Sequence, residues 1–505
     1  MAISDTLVLG LDMGTSSVRA MLFDRRGSVV PERETQLGYA QRMTSDGGVD
    51  TDPEVLLLRT IDCVQQLMQM CTKRERSCIA GVGVSCFWHS ILGVDKAGHA
   101  VTPLYSWADA RSGSKVPELN TLFDATEYHS VTGSELHPSF WPAKLLWLRD
   151  CDTALFDSVA RWMSFGEYIT LRLFGDAPCS ISMASGTGLF NQRKIDWDDT
   201  VVSKLPLRRD QLGQLVDRND ALSGLRQEFA QLLPDLKNVP WFPAVGDGAC
   251  SNIGSAAVAS DRIAINVGTS GAMRVIAGTA RTVPGLFCYR VDRQNALVGG
   301  AFANGGNVYA WEHATLSLDD RAVNSRRMNT MTPDAHGLTI LPFWAGERSP
   351  GWHMNARATI TGMNLHTTPM DIVRASLESV AYTFDQTRRT LQEEYPSATE
   401  IVASGGALLH DPTWIQIMAD VFGKPIITSK VFEASSRGAA LIALNGLGLL
   451  PDLSKAPAYL GRTYKPNLSC FDQYARAAQR TQNLYEAMFG IDAQFKPSNT
   501  VKERT

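Results

Sequence analysis

The sequence predicts a mixed α/β protein of two domains, and three observations carry that expectation. Strand patterns come first, then a helical pattern, then strands again, which is the order of an α/β layer structure. The 505 residues, 44% of them apolar, exceed the size at which one hydrophobic core stops growing. Finally, "LGLDMGTSSVRAML" near the start and "IAINVGTSGAMRVI" half a chain later share a tripeptide between two apolar runs, Gly14-Thr15-Ser16 against Gly268-Thr269-Ser270.

Residues 7–23 read as a β-hairpin: "LVLGLD" alternates, "GT" turns and "VRAMLF" returns, with "DRRG" as the next turn and "VVPERETQLGY" as a further strand. "DPEVLLLRTIDCVQQLMQMC" reads as a helix with Asp52 as N-cap, Pro53 at the first position and Glu54 in the first turn. "IAGVGVSC" and "HSILGVD" are short apolar strands around a turn. Helical patterns at "PAKLLWLRD", "WMSFGEYITLRLFG" and "GLRQEFAQLLPDL" fill the middle of the chain. Proline and glycine thicken at "NVPWFPAVGDGACSNIG", which places a boundary near residue 253. The expected units are therefore 1–253, then 254–455 opening on "RIAINVGTSGAMRVIAG", then 456–505 with a terminal helix "QYARAAQRTQNLYEAMFG" and a polar tail "KPSNTVKERT" expected to fray.

A net charge of −4, with 48 Lys and Arg against 52 Asp and Glu, lacks the basic field that condenses onto nucleic acid. The N-terminus reaches a strand without the pattern of a secretory signal, and no apolar run approaches the ~20 residues of a membrane span. The nine cysteines include no C-x-x-C pair, and Cys63, Cys71, Cys78 and Cys86 sit in apolar surroundings. Reduced, buried thiols in a cytoplasmic protein with neither nucleic-acid nor membrane partners are the expectation.

Asp12 is the chemically odd residue of the first hairpin, because a carboxylate on a buried strand needs a partner. Gly-Thr-Ser is a common turn tripeptide, but a repeated one between apolar strands is suited to anions. Glycine lets backbone approach closely, successive N–H groups form a concave nest, and the hydroxyls donate further bonds. Two such turns across a cleft would hold a polyphosphate from both sides. Asp12 would then meet a phosphate-bound Mg²⁺, while the second copy carries Asn266 at that place.

Other nucleotide signatures are missing: there is no G-x-x-x-x-G-K-[ST], and "GVGVSC" fails the dinucleotide pattern at its last glycine. In "IVASGGALLHDPTWIQIMADVFG", Gly405 and Gly406 leave room for a base or ribose and Asp411 can cap the following helix, although an ordinary β-to-α turn has the same local features. Asp247, between two glycines in "PAVGDGACSNIG", reads either as a turn former or as a carboxylate placed to take a hydroxyl proton.

Together "GLDMGTSSVRAMLFD", "PAKLLWLRD", "VGDGACSNIG", "NVGTSGAMR", "GLTILPFWAGERSPGWHMNARATITGMNLHTTP" and "ASGGALLHDPTWIQIMADVFGKPI" appear in one order, and in this the chain resembles the FGGY carbohydrate kinases from about Val8 to Gly448. The resemblance implies two actin-like, ribonuclease-H-like ATPase domains facing a central cleft, with ATP and Mg²⁺ as cofactors and a sugar as acceptor. It implies Asp247 as general base and Asp12 as the metal and phosphate carboxylate. Gly14, Thr15, Ser16, Ser17, Arg19, Gly268, Thr269 and Ser270 fall in the phosphate loops, and Gly405, Gly406 and Ala407 in the nucleoside loop. Trp88, His89, Trp107, Asp109 and Arg111 fall on the sugar side, where a structural histidine and a surface-helix arginine are the plainer readings of His89 and Arg111.

Within the family the resemblance is greatest to the gluconate kinase branch, through "HSILGVDKAGHAVTPLYSWADARS", "SISMASGTGLFNQRKIDWD" and "GGAFANGGNVYAW". Trp88 and Trp141 depart from the usual residues beside the sugar, either as pocket-shaping or as packing groups. A sugar acid adds the need for a cation on its carboxylate, for which Arg111 and Arg274 are candidates. The expected activity is phosphorylation of D-gluconate to 6-phosphogluconate. A xylulose, ketose or polyol kinase is the alternative, an actin-like ATPase or a sugar sensor is more remote, and a homodimer is left open.

Overall fold

The computed structural model describes residues 6–490. Leu7–Met13 and Ser17–Phe23 form the expected antiparallel hairpin, and Leu7–Met13 runs parallel to Ile79–Cys86 on its other side. Val245–Gly246 and Val29–Gly38 complete a five-stranded sheet at its two edges. Pro31 falls in the edge strand Val29–Gly38, where a missing ladder N–H is tolerated.

The second sheet has seven strands, in the order Phe287–Arg290, Ala296–Phe302, Gly271–Ala277, Arg262–Val267, Glu400–Ser404, Ile426–Ser429, Leu460–Tyr464. Its centre repeats the first sheet. The hairpin Arg262–Val267 with Gly271–Ala277 is antiparallel, and its first strand runs parallel to Glu400–Ser404. Asp12 is level with Ser85 on the neighbouring strand, and Asn266 is level with Ser404. Each pair is hydrogen-bonded: the Ser85 hydroxyl donates to Asp12 Oδ1 at 2.7 Å, and the Asn266 amide to Ser404 Oγ at 3.1 Å. The sequence repeat is thus a repeat of fold, down to a serine facing the polar residue of each hairpin.

The Pro53–Met70 helix begins as its sequence dictates, with the Asp52 carboxylate accepting from the Glu54 and Val55 N–H groups. Leu57, Ile61, Val64 and Met68 bury one face on the first sheet at helical spacing. The Ala434–Gly446 helix follows the second sheet in the chain yet packs on Leu7–Met13 and Ile79–Cys86 and beside the Asp247–Gly254 helix. Its Ala439, Leu441 and Leu444 join one apolar cluster with Val8, Leu9 and Val82. Glycine permits this seat: a Cβ on Gly83 would lie 1.9 Å from the Ala439 carbonyl oxygen, and one on Gly438 1.9 Å from that of Cys250.

Some elements differ from the sequence pattern. "WMSFGEYITLRLFG" divides into a strand, Arg161–Met163, and a helix, Phe165–Phe174, because Ser164 and Glu167 make a reciprocal cap there. The helix in "GLRQEFAQLLPDL" is only Gln227–Leu232, stopping ahead of Pro234. The strand in "HSILGVD" is Leu92–Val94, since His89 has φ of 68° and turns the chain first. The terminal helix is Phe471–Phe489; the tail "KPSNTVKERT" lies outside the described residues. All nine cysteines are free thiols, and among the described residues no helix is long and apolar enough to cross a membrane.

Candidate active site

A cleft of about 830 Å³ brings together Thr15 and Ser16 of the first turn, Thr269 and Ser270 of the second, and Trp107 and Asp109. The first turn is closed by the Gly14 N–H on the Ser17 carbonyl at 3.0 Å and anchored by the Tyr39 hydroxyl on the Gly14 carbonyl at 2.8 Å. The second is closed by the Gly268 N–H on the Ser270 carbonyl at 3.0 Å. It is backed by Gly306 and Asn307, whose N–H groups donate to the Gly268 and Thr269 carbonyls. Gly405, with φ of 91°, lies so close to Val267 that a Cβ would be 2.4 Å from its carbonyl oxygen. Ala407 abuts Gly306, so the third glycine-rich turn is stacked on the second phosphate-type turn.

Asp12 is buried at the base of the first turn. Burial pushes its carboxyl up to about 7, Asp247 and Glu433 add to that, and the Ser85 hydroxyl and Arg19 oppose it. Arg19 bridges two carboxylates, 3.7 Å from Asp12 Oδ2 and 3.1 Å from Glu433 Oε2. Ser17 is buried and accepts from the Gln36 amide at 3.1 Å.

Asp247 opens the Asp247–Gly254 helix directly after the edge strand Val245–Gly246. Its Oδ1 accepts from the Gly248 N–H at 2.7 Å. Burial raises its pKa, while Arg274, then the Gly248 N–H, then Arg348 pull it back. Both arginines are half-buried with Nε sealed from solvent and unpartnered. Among the described residues neither makes a salt bridge. Arg274 was among the sequence candidates. Arg348 was not singled out, although it sits in "GERSPGWHMNARATITG"; the signal that could have found it is the tryptophan-flanked arginine itself.

At the cleft wall, the Trp107 indole donates to Thr15 Oγ1 at 3.1 Å. Arg111 is not a free cation: its guanidinium is clasped by Asp109, reaches Asp50 Oδ2 at 2.5 Å, and lies over the Tyr105 and Trp147 rings. Asp109 in turn accepts from the Val49 N–H at 2.9 Å. His89 is buried and its ring N–H at Nδ1 donates to the Gly186 carbonyl at 2.5 Å, leaving Nε2 as an acceptor. Burial and Arg348 lower its pKa to about 3, so it is neutral at physiological pH.

Trp88 lies beneath the Asp247 loop, where a Cβ on Gly246 would strike its ring at 1.8 Å, and its indole donates to Ser182 at 2.9 Å. Trp141 is fully buried and donates to the Ser90 carbonyl at 3.0 Å. Lys144, buried beside the cleft, donates to the Pro138 carbonyl, and burial lowers its pKa to about 7.

Residues 7–254 match the N-terminal domain of the FGGY family of carbohydrate kinases, and residues 263–446 its C-terminal domain. The chain belongs to this family. The "Gluconokinase" of Bacillus subtilis (strain 168) is 26% identical over 91% of both chains. Two solved structures from Lactobacillus acidophilus, one of a gluconate kinase and one of a ligand-bound xylulose kinase, each superpose with a TM-score of 0.89 at 28% identity, covering 96% of this chain and 98% of theirs. The FGGY fold expected from the motifs is therefore present, with two domains of the actin-like ATPase type, and the chain is an ATP-dependent sugar kinase.

Proposed function

We propose that this FGGY kinase transfers the γ-phosphoryl group of ATP to the primary hydroxyl of D-gluconate, giving 6-phosphogluconate in the cytoplasm. The observation that carries the reading is the charge around Asp247: one carboxylate faces two arginines, Arg274 and Arg348, that no protein carboxylate pairs. A neutral ketose leaves that cationic excess unanswered, whereas a sugar acid answers it. The likeness to gluconokinases supports the same choice. A xylulose kinase is the second reading, favoured by the equal likeness to a structure bearing that name.

In this reading the polyphosphate of ATP lies between Thr15-Ser16 and Thr269-Ser270, and the nucleoside rests on Gly405, Gly406 and Ala407. Among the described residues no cluster of three or more His, Cys, Asp or Glu could hold a metal alone. Asp12, buried with one hydroxyl donor and its other oxygen facing Arg19, fits a single carboxylate contact to Mg²⁺ that also takes phosphate oxygens and water. That cation would neutralise phosphate charge.

Asp247 accepts the proton of the attacking hydroxyl as the new oxygen–phosphorus bond forms and the bond to ADP breaks. Burial raises its pKa above the ordinary carboxylate value, which makes it a stronger base than a solvated carboxylate. Arg111 positions Asp109 at the cleft wall, and His89 Nε2 accepts a sugar hydroxyl. An ADP-release assay with Mg²⁺-ATP against D-gluconate, D-xylulose, glycerol, L-ribulose and no sugar tests the reading. Selective turnover of gluconate is expected; selective turnover of a ketose would replace the substrate.

A further inference from the structure

Two unpaired arginines near one carboxylate raise the question of which meets the substrate. We infer that Arg348 receives the carboxylate of the acceptor, while Arg274 stays with Asp247; this rests on the sugar-acid reading above. Arg348 lines the cleft that holds Thr15, Trp107 and Asp109, whereas Arg274, like Asp247, lies behind its lining. Arg274 is instead folded against the catalytic loop: a Cβ on Gly248 would lie 3.0 Å from its Nε, and the Asn252 amide donates to its backbone carbonyl at 3.3 Å.

Arg348 is built to present a planar fork. Its guanidinium carbon stands 5.3 Å from the ring centroids of both Trp107 and Trp352, which restrains it between two aromatic faces and leaves its N–H edges for an anion. The turn that carries it is fixed on both sides. Glu347 accepts from the Tyr485 hydroxyl at 3.1 Å, the Ser349 N–H donates to the Ala301 carbonyl at 3.0 Å, and the Ala301 N–H donates back to Ser349 Oγ at 3.1 Å. The Trp352 indole donates to the Gly285 carbonyl at 3.0 Å. An arginine held this firmly with no carboxylate partner in the protein is pre-organised for a bidentate carboxylate. Trp107 then has two tasks, one face to Arg348 and its N–H to Thr15, so the acid end of the acceptor and the phosphate turn share one side chain.

The test is kcat/KM for D-gluconate and for D-glucitol, the same chain with a hydroxymethyl in place of the carboxylate, in wild type, Arg348→Met, Arg348→Lys and Arg274→Met. Loss of a charge-assisted bidentate contact predicts a fall of about 100-fold in the gluconate-to-glucitol ratio for Arg348→Met, with a smaller fall for Arg348→Lys. Arg274→Met is expected to lower both substrates together. Thermal melting of each variant identifies any that does not fold, and Arg348→Lys then supplies the ratio.

An equal loss for both substrates in the Arg348 variants overturns the assignment and moves Arg348 to the transferred phosphoryl group. A ratio that falls in Arg274→Met and not in Arg348→Met overturns it in favour of Arg274. A wild type that turns over ketoses and no sugar acid overturns the gluconate reading itself, a result visible before any variant is made.

Discussion

The indole N–H of Trp107 donates to Thr15 Oγ1 at 3.1 Å, joining the Trp107 loop to the first Gly-Thr-Ser turn. Thr15 is thereby held with its hydroxyl oxygen as acceptor, leaving its proton free for a phosphate oxygen. Trp107→Phe keeps the ring beneath Arg348 and removes only this bond. Thr15→Val removes the other partner. A double-mutant cycle on kcat/KM is expected to show coupling of about 1 kcal/mol, the net worth of one such hydrogen bond. Additive effects would mean that the bond does no work in turnover.

Asp247→Asn retains shape and most packing but cannot take a proton. Turnover should fall by roughly 10²- to 10⁴-fold, the ordinary contribution of a positioned general base, while KM for ATP changes by less than about threefold because the phosphate turns are untouched. Steady-state kinetics at saturating sugar separates the two quantities. Comparable loss of ATP binding would show that Asp247 organises the nucleotide site.

The fold was largely legible because its signals are local. The hairpins announce themselves by alternation, and the helix after Asp52 by its cap and proline; the repeat of Gly-Thr-Ser marks the two halves of the FGGY fold. The Ala434–Gly446 helix was illegible as part of the first core, since its alanines and glycines carry no mark of which sheet they will meet. The site divides in the same way. Turn residues that act through backbone could be read from the residue types, but the availability of a guanidinium depends on neighbours far away in sequence. Arg111 reads in sequence either as a carboxylate-binding cation or as a surface-helix arginine and is instead clasped by Asp50 and Asp109; Arg348, which carries no such signal, has no carboxylate partner.

Protonation of Asp12 should couple nucleotide binding to pH. Its carboxyl is raised to about 7 by burial, so the free enzyme carries it largely protonated at pH 6 and ionised at pH 8. A raised acid favours the folded state at low pH, and that contribution is lost as pH rises through about 7. If Asp12 meets a Mg²⁺-bound nucleotide as proposed, binding would need the ionised form and would release a proton at pH 6. Affinity should rise by up to about tenfold per pH unit below 7 and level off above it. Titration calorimetry at pH 6 in two buffers of different ionisation enthalpy reads the proton directly, and Asp12→Asn should abolish the dependence. Identical heats in both buffers would place the titration elsewhere.

Packing dictates the identity of Gly438. It lies within the Ala434–Gly446 helix, where alanine would ordinarily gain about 1 kcal/mol over glycine. Here a Cβ would sit 1.9 Å from the Cys250 carbonyl oxygen, on the Asp247–Gly254 helix, so one backbone must withdraw from the other. Overpacking of this kind costs about 1–3 kcal/mol, which outweighs the gain in propensity. Gly438→Ala should lower the melting temperature, and because the displaced helix begins at Asp247, it should lower kcat as well. Gly278, with no neighbour within 4 Å of its Cβ position, is the control whose alanine variant should melt as the wild type does. If Gly438→Ala proved as stable and as active as that control, the two helices would not be in the backbone contact that fixes Asp247 at the end of the first sheet.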